Sequence, residues 1–279
     1  MSRTEPKPFL RWAGGKGRLL SHLKKRLPVF TGRYYEPFIG GGAMFFALDL
    51  PGARCVINDD VPDLALTYRV LRDDVDELVK KLHRLANHTT EKDYYSLREA
   101  QPTSDVNKAA RTIALNSLCF NGLFRQNNRG QFNASYGRLK NPTVCDEPLL
   151  RVDADRLVGT VIRHGDFENA VVDARAGDFV YLDPPYVPHS PTSSFTKYAE
   201  KDFREPDHRR LASVIDDLTS RGVLVMLSNS DTSLTRAIYN GLRLESVQVR
   251  RSIAAKGSAR CSVPEVIGTN FAEVAAEAA

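Results

Sequence analysis

The sequence predicts an α/β fold, a largely parallel sheet flanked by helices and interrupted by a helical block. Three observations predict it. Short apolar runs of strand length alternate with helix-length stretches near the N-terminus and again after Pro148. Glycines Gly40-Gly41-Gly42 lie between a first strand and a helix, and an acid, Asp59, closes the next strand. Residues 61–118 read as helical throughout. Across 279 residues, 42% are hydrophobic and 26% charged, which excludes disordered and fibrous classes.

Phe9 to Lys16 is a loop leading into a helix over 17–27, stopped by Pro28. Tyr34-Tyr35-Glu36 ends a short strand, Pro37 to Gly42 makes a tight loop, and a helix runs from Ala43 to Asp49. Arg54 to Ile57 is the second strand, ending in Asn58-Asp59-Asp60. In the helical block, Leu64, Leu66, Leu71, Leu78, Val79 and Leu82 recur at helical spacing, with breaks at 84–90 and 101–104. The turn Asn127-Asn128-Arg129-Gly130 marks a hairpin. Strands follow over 158–163, 177–182 and 222–227, with helices over 206–220 and 233–239. The stretches 244–251 and 263–267 read as antiparallel strands closing the sheet. This order makes residues 1–62 and 147–279 one discontinuous domain and 63–146 an inserted one. The polar loop 187–202 beside a sheet end is a candidate lid.

No run of ~18 apolar residues is present, so no membrane span is expected. The N-terminal residues lack the apolar core of a secretion signal, which gives a cytoplasmic address as the expectation. Cys55, Cys119, Cys145 and Cys261 form no CxxC pair, so free thiols are expected rather than a zinc ribbon or a disulfide scaffold.

The net charge of +5 is unevenly placed. Residues 106–145 contain no acid and carry Lys108, Arg111, Arg125, Arg129, Arg138 and Lys140, so the rest of the chain sums to −1. The same stretch interleaves Phe120, Asn121, Leu123, Phe124, Asn127, Phe132, Asn133 and Ser135 with those cations. Arginine grips phosphates and reads guanine, amides read adenine, and apolar groups wedge between bases, so this segment is a candidate nucleic-acid contact. A solvated polar loop is the plain alternative.

The sharpest motif is Asp178 to Tyr186, DFVYLDPPY. Its apolar residues suit a buried parallel strand, with a carboxylate at the C-terminal edge where open α/β sheets bind ligands. That grouping suits methylation of an exocyclic amine, whose lone pair is delocalised into the ring. Two acceptors on the two N–H bonds pull the nitrogen toward tetrahedral geometry. Asp183 offers one acceptor and the Pro184 carbonyl the other, and Tyr186 offers a face for a purine. A structural Pro-Pro turn with a capping Asp is the alternative. Residues 36–42 are not a G-x-G-x-x-G dinucleotide fingerprint, yet Asp59 falls where a ribose-binding acid is expected. Adenosine without phosphates, as in S-adenosylmethionine, fits that pattern. Ala13-Gly14-Gly15-Lys16 is no P-loop, because Leu10 and Gly17 stand where glycine and Ser/Thr are required.

Together these residues resemble the Dam-like family (alpha-class, D12 type) of DNA adenine-N6 methyltransferases. The matching stretches run in family order: Phe9 to Lys16, Glu36 to Phe45, Asn58-Asp59, Phe120 to Arg138, Gly165-Asp166-Phe167, Asp183 to Tyr186, Leu227 to Asp231, and Arg251-Ser252-Ile253 with Gly257 and Arg260. The resemblance implies a Rossmann-like S-adenosylmethionine-dependent methyltransferase sheet with an inserted helical target-recognition domain carrying a β-hairpin. It implies a cofactor site of Trp12, Lys16, Phe38, Gly40, Asp59, Asp166, Phe167 and Asp183, with S-adenosyl-L-homocysteine as product and no metal. It implies that Arg125 reads a guanine, Leu123 meets a thymine methyl, Arg11 lies near an outer base, and Phe120 and Asn121 fill the space of an extruded adenine. Asn127, Arg129, Asn133, Ser135, Arg138 and Lys140 complete the expected DNA contacts. The expected target is GATC or a related short palindrome, although members acting on GATC usually carry Pro at the place of Ser135 and Tyr at that of Leu139, two departures that count against GATC itself. Double-stranded DNA is the expected partner, with a cognate restriction endonuclease a further candidate, no membrane, and a monomer in solution. The rival readings are an RNA adenine methyltransferase, a DNA-binding protein with a vestigial cofactor fold, and a nicotinamide oxidoreductase. Intact DPPY, Asp59 and Lys16 oppose the second, and the missing third glycine opposes the last.

Overall fold

A computed structural model describes residues 4–122, 124–127, 130–188, 203–250 and 262–272. In chain order the elements are α1 (Leu20–Lys24), β1 (Tyr34–Glu36), α2 (Ala43–Ala47), β2 (Cys55–Asp59), α3 (Pro62–Asp73), α4 (Val75–Ala86), α5 (Glu91–Glu99), α6 (Asp105–Leu118), α7 (Glu147–Leu157), β3 (Val161–His164), α8 (Phe167–Ala170), β4 (Phe179–Leu182), α9 (Glu205–Ser220), β5 (Leu224–Ser230), α10 (Ser233–Ile238), β6 (Arg243–Arg250) and β7 (Ser262–Thr269). The fold is mixed α/β with a seven-stranded sheet of order β3-β2-β1-β4-β5-β7-β6.

The chain gathers into two compact units, one of residues 4–15 and 39–166, the other of residues 16–38, 167–188, 203–250 and 262–272. In the first, β2 is buried at all five positions and pairs in parallel with β3 in the register Val56↔Val161. Leu64, Tyr68 and Leu71 of α3, Leu78 and Leu82 of α4, and Ile113 and Leu115 of α6 form the apolar core of the helices. The break expected over 84–90 begins later, because α4 runs on to Ala86, and both expected breaks end in helix caps. Thr90 and Asp93 make a reciprocal capping box on α5, and the Ser104 side chain caps α6.

In the second unit, β4 is buried at all four positions and lies between β1 and β5, parallel to both. β7 and β6 then add antiparallel, as the sequence predicts. Helix α9 turns His208, Leu211, Val214, Ile215 and Leu218 inward.

Two local expectations are corrected. The helix expected over 17–27 is regular only at Leu20–Lys24. Its flanks close with i→i+3 bonds, His22 to Leu19 and Arg26 to Leu23, consistent with the weak helix preference of Gly15 and Gly17. Helix α7 was not expected, because Pro148 reads as a breaker. It lies in the first turn, where proline loses no bond, and Asp146 caps the helix through the Leu149 N–H. The hairpin is held by bonds from the Asn127 N–H to the Gln131 carbonyl (2.9 Å) and the Asn133 N–H to the Arg125 carbonyl (2.8 Å). Its pairing consists of isolated bridges, Gln126↔Phe132 and Cys119↔Tyr136. The lid expected over 187–202 lies outside the described residues except at its start, as do Leu123, Asn128, Arg129, Arg251 to Cys261 and the residues quoted there. Among the described residues no helix is long and apolar enough to cross a membrane.

Candidate active site

Strand β4 delivers the DPPY motif. Parallel neighbours on both sides place the residue after Leu182 at a carboxyl edge of the sheet, and that residue is Asp183. Its Oδ1 accepts from Lys16 Nζ at 2.8 Å and from the Ser228 hydroxyl at 2.8 Å. Oδ2 takes neither of these donors. Ser228 has one hydroxyl proton and gives it to Asp183, so the Tyr181 hydroxyl, 2.9 Å away, donates to Ser228. Burial pushes the Asp183 carboxyl above the usual carboxylate range, while the Lys16 charge and the bonds from Lys16 and Ser228 pull it back. The side chain keeps 18% exposure, enough to be reached. Lys16 is 7% exposed, and its Nζ also lies 4.4 Å from the Tyr186 ring centre. The Tyr186 hydroxyl donates to Glu265 Oε2 at 3.1 Å. Asn229 Oδ1 accepts the Val187 N–H at 3.0 Å and so fixes the exit from the two prolines.

The same unit contains an aromatic group. Phe38 stacks on Phe167 at 5.4 Å, and Phe203 meets both edge-on or tilted. Arg210 lies over the Phe167 ring at 4.4 Å. His208 packs on Phe203 and pairs with the Tyr239 hydroxyl at 2.7 Å. Burial drives its pKa down to about 4 and keeps it neutral.

In the other unit, the glycine turn and β2 form a second cluster. Gly40 has φ +48°, and a Cβ there would come within 2.8 Å of Trp12 Cδ1, so only glycine fits. The Gly40 N–H donates to Asp59 Oδ2 at 3.0 Å, the Val61 N–H to Oδ1 at 3.1 Å, and the Tyr68 hydroxyl to the Gly40 carbonyl at 3.0 Å. Asp59 is 8% exposed, and burial pushes its carboxyl up to about 7 against the opposing backbone bonds. Asn58 Nδ2 donates to the Gly165 carbonyl at 2.9 Å and so places the half-buried Asp166 just past β3.

The basic segment also lies in this unit. Phe120 is 55% exposed, and Asn121 adopts φ +57°. Arg125 donates through Nε to Asn133 Oδ1 (2.6 Å) and through Nη2 to the Asn133 carbonyl (3.0 Å). Asn127 is tied to Gln131 at 3.0 Å in both directions. Ser135, Arg138 and Lys140 are exposed, and Arg138 lies 3.5 Å from Glu91. Arg11 is exposed, with its backbone held at both N–H and C=O by the Asn116 side chain. Arg111 departs from the expectation for the segment. Its guanidinium donates to the Leu97 carbonyl at 2.9 Å and to that of Arg98, closing the last turn of α5.

The structure thus brings Lys16, Asp183 and Tyr186 together, Phe38 with Phe167, and Trp12 with Gly40 and Asp59. Sequence reasoning assigned no task to Ser228, Glu265, Tyr68 or Asn116. Ser228 lies in a quoted stretch, but its approach to Asp183 follows from the β4–β5 register Leu182↔Leu227, which no local pattern encodes.

The family model described as D12 class N6 adenine-specific DNA methyltransferase matches residues 12–253. The chain is 39% identical over 273 residues to a type II methyltransferase of Lactococcus lactis subsp. cremoris, covering 95% of each chain. It is 39% identical over 276 residues to a type II methyltransferase of Methanocaldococcus jannaschii, covering 92% of this chain and 96% of the relative. It is 34% identical over 263 residues to the DNA adenine methylase of Escherichia coli K12, covering 93% of each. A carboxylate and proline carbonyl at a sheet edge, carried on a chain matched over almost its whole length, make this protein a member of the D12 class of N6 adenine-specific DNA methyltransferases.

Proposed function

We propose that the enzyme takes its methyl group from S-adenosyl-L-methionine and delivers it to N6 of an adenine flipped out of duplex DNA, within GATC or a related short palindrome. The observation that carries this reading is the state of Asp183. Lys16 and Ser228 both hold Oδ1, which fixes the carboxylate and leaves Oδ2 as an acceptor, with the carbonyl of the next residue, Pro184, as the second. Oδ2 and that carbonyl each accept one N6–H bond. Tyr186 carries Lys16 on one face, so the purine stacks on the other, worth ~1–3 kcal/mol. That offsets part of the few kcal/mol needed to flip the base.

The residues suit the donor. Asp59 is a buried carboxylate whose raised pKa would be relieved by hydroxyl donors such as a ribose diol. Trp12, Lys16, Phe38, Gly40, Asp166, Phe167 and Asp183 are the further residues assigned to it. Bound there, S-adenosyl-L-methionine supplies a methyl carbon made electrophilic by its positively charged sulfur. The N6 lone pair would form the new N–C bond while the carbon–sulfur pair stays on sulfur to give S-adenosyl-L-homocysteine, and the surplus N6 proton would then pass to Asp183 Oδ2, already its hydrogen-bond acceptor, and on to water. No metal takes part in this scheme.

Residues 63–146 act as the target-recognition domain and 1–62 with 147–279 as the catalytic one. Arg125 reads guanine and Leu123 a thymine methyl. Phe120 and Asn121 occupy the vacated stack. Arg11, Asn127, Arg129, Asn133, Ser135, Arg138 and Lys140 position the duplex. The enzyme works as a monomer in the cytoplasm, where its DNA is. The type II names of two relatives favour a cognate restriction endonuclease as partner.

Long-read sequencing of unmethylated plasmid treated with the purified protein and S-adenosyl-L-methionine tests the reading. N6-methyladenine within one short palindrome is the expected outcome. If tritium from labelled donor enters RNA but no duplex DNA, or enters neither, the proposal fails.

A further inference from the structure

Trp12 has neighbours on two sides within one unit. Its ring stacks on Phe124 with centroids 4.8 Å apart and planes 26° apart. Its other contact is the glycine turn, where a Cβ on Gly40 would meet Trp12 Cδ1 at 2.8 Å and one on Gly41 would meet Trp12 Cβ at 3.3 Å. Gly40 in turn donates to Asp59. Phe124 belongs to the hairpin. It packs edge-on against Phe132, which is 6% exposed, and it precedes Arg125, whose carbonyl pairs with the Asn133 N–H.

The backbone beneath the tryptophan is fixed. Asn116 accepts the Arg11 N–H at 2.9 Å and donates to the Arg11 carbonyl at 2.8 Å, and the same Nδ2 reaches the Gly122 carbonyl at 3.2 Å. A Cβ on Gly122 would strike the Arg11 side chain, so the hairpin's entry and the Arg11-Trp12 segment are in close contact. With the backbone held, the Trp12 ring is the element through which a shift of Phe124 reaches the Gly40 turn.

We propose that Phe124 is a positioning residue that acts through Trp12, so that engagement of DNA by the hairpin and filling of the cofactor site strengthen each other. The proposal rests on the cofactor and DNA assignments made above. Reciprocity is required: if duplex tightens cofactor binding by some factor, cofactor tightens duplex binding by the same factor. An aromatic pair of this kind sets the scale at about 2- to 10-fold.

Trp12 is the one tryptophan in the sequence, so tryptophan emission comes from this residue alone. The full chain is titrated with S-adenosyl-L-homocysteine, which cannot react, with and without a duplex carrying the mapped target. In the wild type the duplex lowers the S-adenosyl-L-homocysteine Kd by about 2- to 10-fold. Phe124→Leu brings that ratio near one and shifts the free-state Trp12 emission to the red, while Phe124→Tyr keeps both as in the wild type. Far-UV circular dichroism and Tm confirm that the variants are folded, and Phe124→Met, which loses the ring but keeps apolar bulk, replaces Phe124→Leu should that variant misfold. S-adenosyl-L-homocysteine binding with an unchanged ratio in the ring-deleted variant overturns this proposal alone. A wild type that binds no S-adenosyl-L-homocysteine overturns the cofactor assignment and this proposal with it.

Discussion

Asp59 and Asp183 are both carboxyls pushed up by burial, but different groups oppose the shift. Asp183 has a lysine charge and a serine hydroxyl on Oδ1, whereas Asp59 has backbone N–H donors alone among the groups that pull it down. Folded Asp59 therefore keeps its proton up to about 7, whereas the unfolded chain gives it up near the ordinary aspartate value of 3.8. The sign follows from linkage. The folded state binds the extra proton between those values, so the contribution to stability is greatest at low pH and falls as pH rises through that window. A ligand that donates hydroxyl hydrogen bonds prefers the charged form, so its affinity moves the opposite way. S-adenosyl-L-homocysteine affinity is expected to rise as pH climbs through about 7 and level off above it, with proton release on binding, and Asp59→Asn should flatten the profile. Calorimetry in buffers of different ionisation enthalpy measures this directly, and a flat wild-type profile would remove Asp59 from ligand contact. Binding is the better readout than melting, because Asp153, which burial pushes up to about 8, lowers stability with rising pH in an overlapping window. His208 stays neutral throughout, since its pKa is driven down to about 4.

At the scale of elements, the hairpin holds the side chain proposed to read guanine. Arg125 spends two of its donor atoms on Asn133 across the turn, which locks the guanidinium plane before any base arrives. Arg125→Ala is expected to cost ~1–3 kcal/mol of discrimination at one base pair, with overall DNA affinity changing less. Asn133→Ala should reproduce part of that loss although Arg125 is intact. Methylation rates on duplexes substituted one base pair at a time measure both, and unchanged selectivity in the two variants would place the reading elsewhere. The hairpin was visible in the sequence because Asn127 and Gly130 have the turn chemistry it needs, and β4 was visible because FVYL is a buried parallel run ending in an acid. Helix α7 was hidden because Pro148 breaks a helix or starts one depending on a cap two residues earlier, and that depends on whether Asp146 turns back to the Leu149 N–H. Ser228 was hidden for a different reason. Its task comes from a strand 45 residues away along the chain, through a register that hydrophobic pattern leaves unspecified when β4 and β5 are buried on both faces.

For the molecule as a whole, charge placement decides how DNA binding responds to salt. Residues 106–145 carry +6 against −1 for the rest of the chain, yet the structure does not leave every cation there available. Arg111 is half-buried, burial lowers its pKa, and its guanidinium closes helix α5 through the Leu97 and Arg98 carbonyls. That leaves Lys108, Arg125, Arg129, Arg138 and Lys140 as the segment's candidates for phosphate. Each phosphate neutralised adds about −0.9 to the slope of log K against log salt, so the segment contributes a slope no steeper than about −4.5. Arg138 and Lys140 are exposed, and Arg138 meets Glu91 only at 3.5 Å, a pairing too weak to withhold it. The double variant Arg138→Ala, Lys140→Ala should therefore flatten the slope by about 1.8 while leaving sequence choice intact. Arg111→Ala should instead lower Tm, because it strips two carbonyls of their donor, and keep the wild-type slope. Duplex binding titrations across a range of salt concentrations separate the two outcomes, and a slope unmoved by the double variant would show that this basic segment does not grip the backbone.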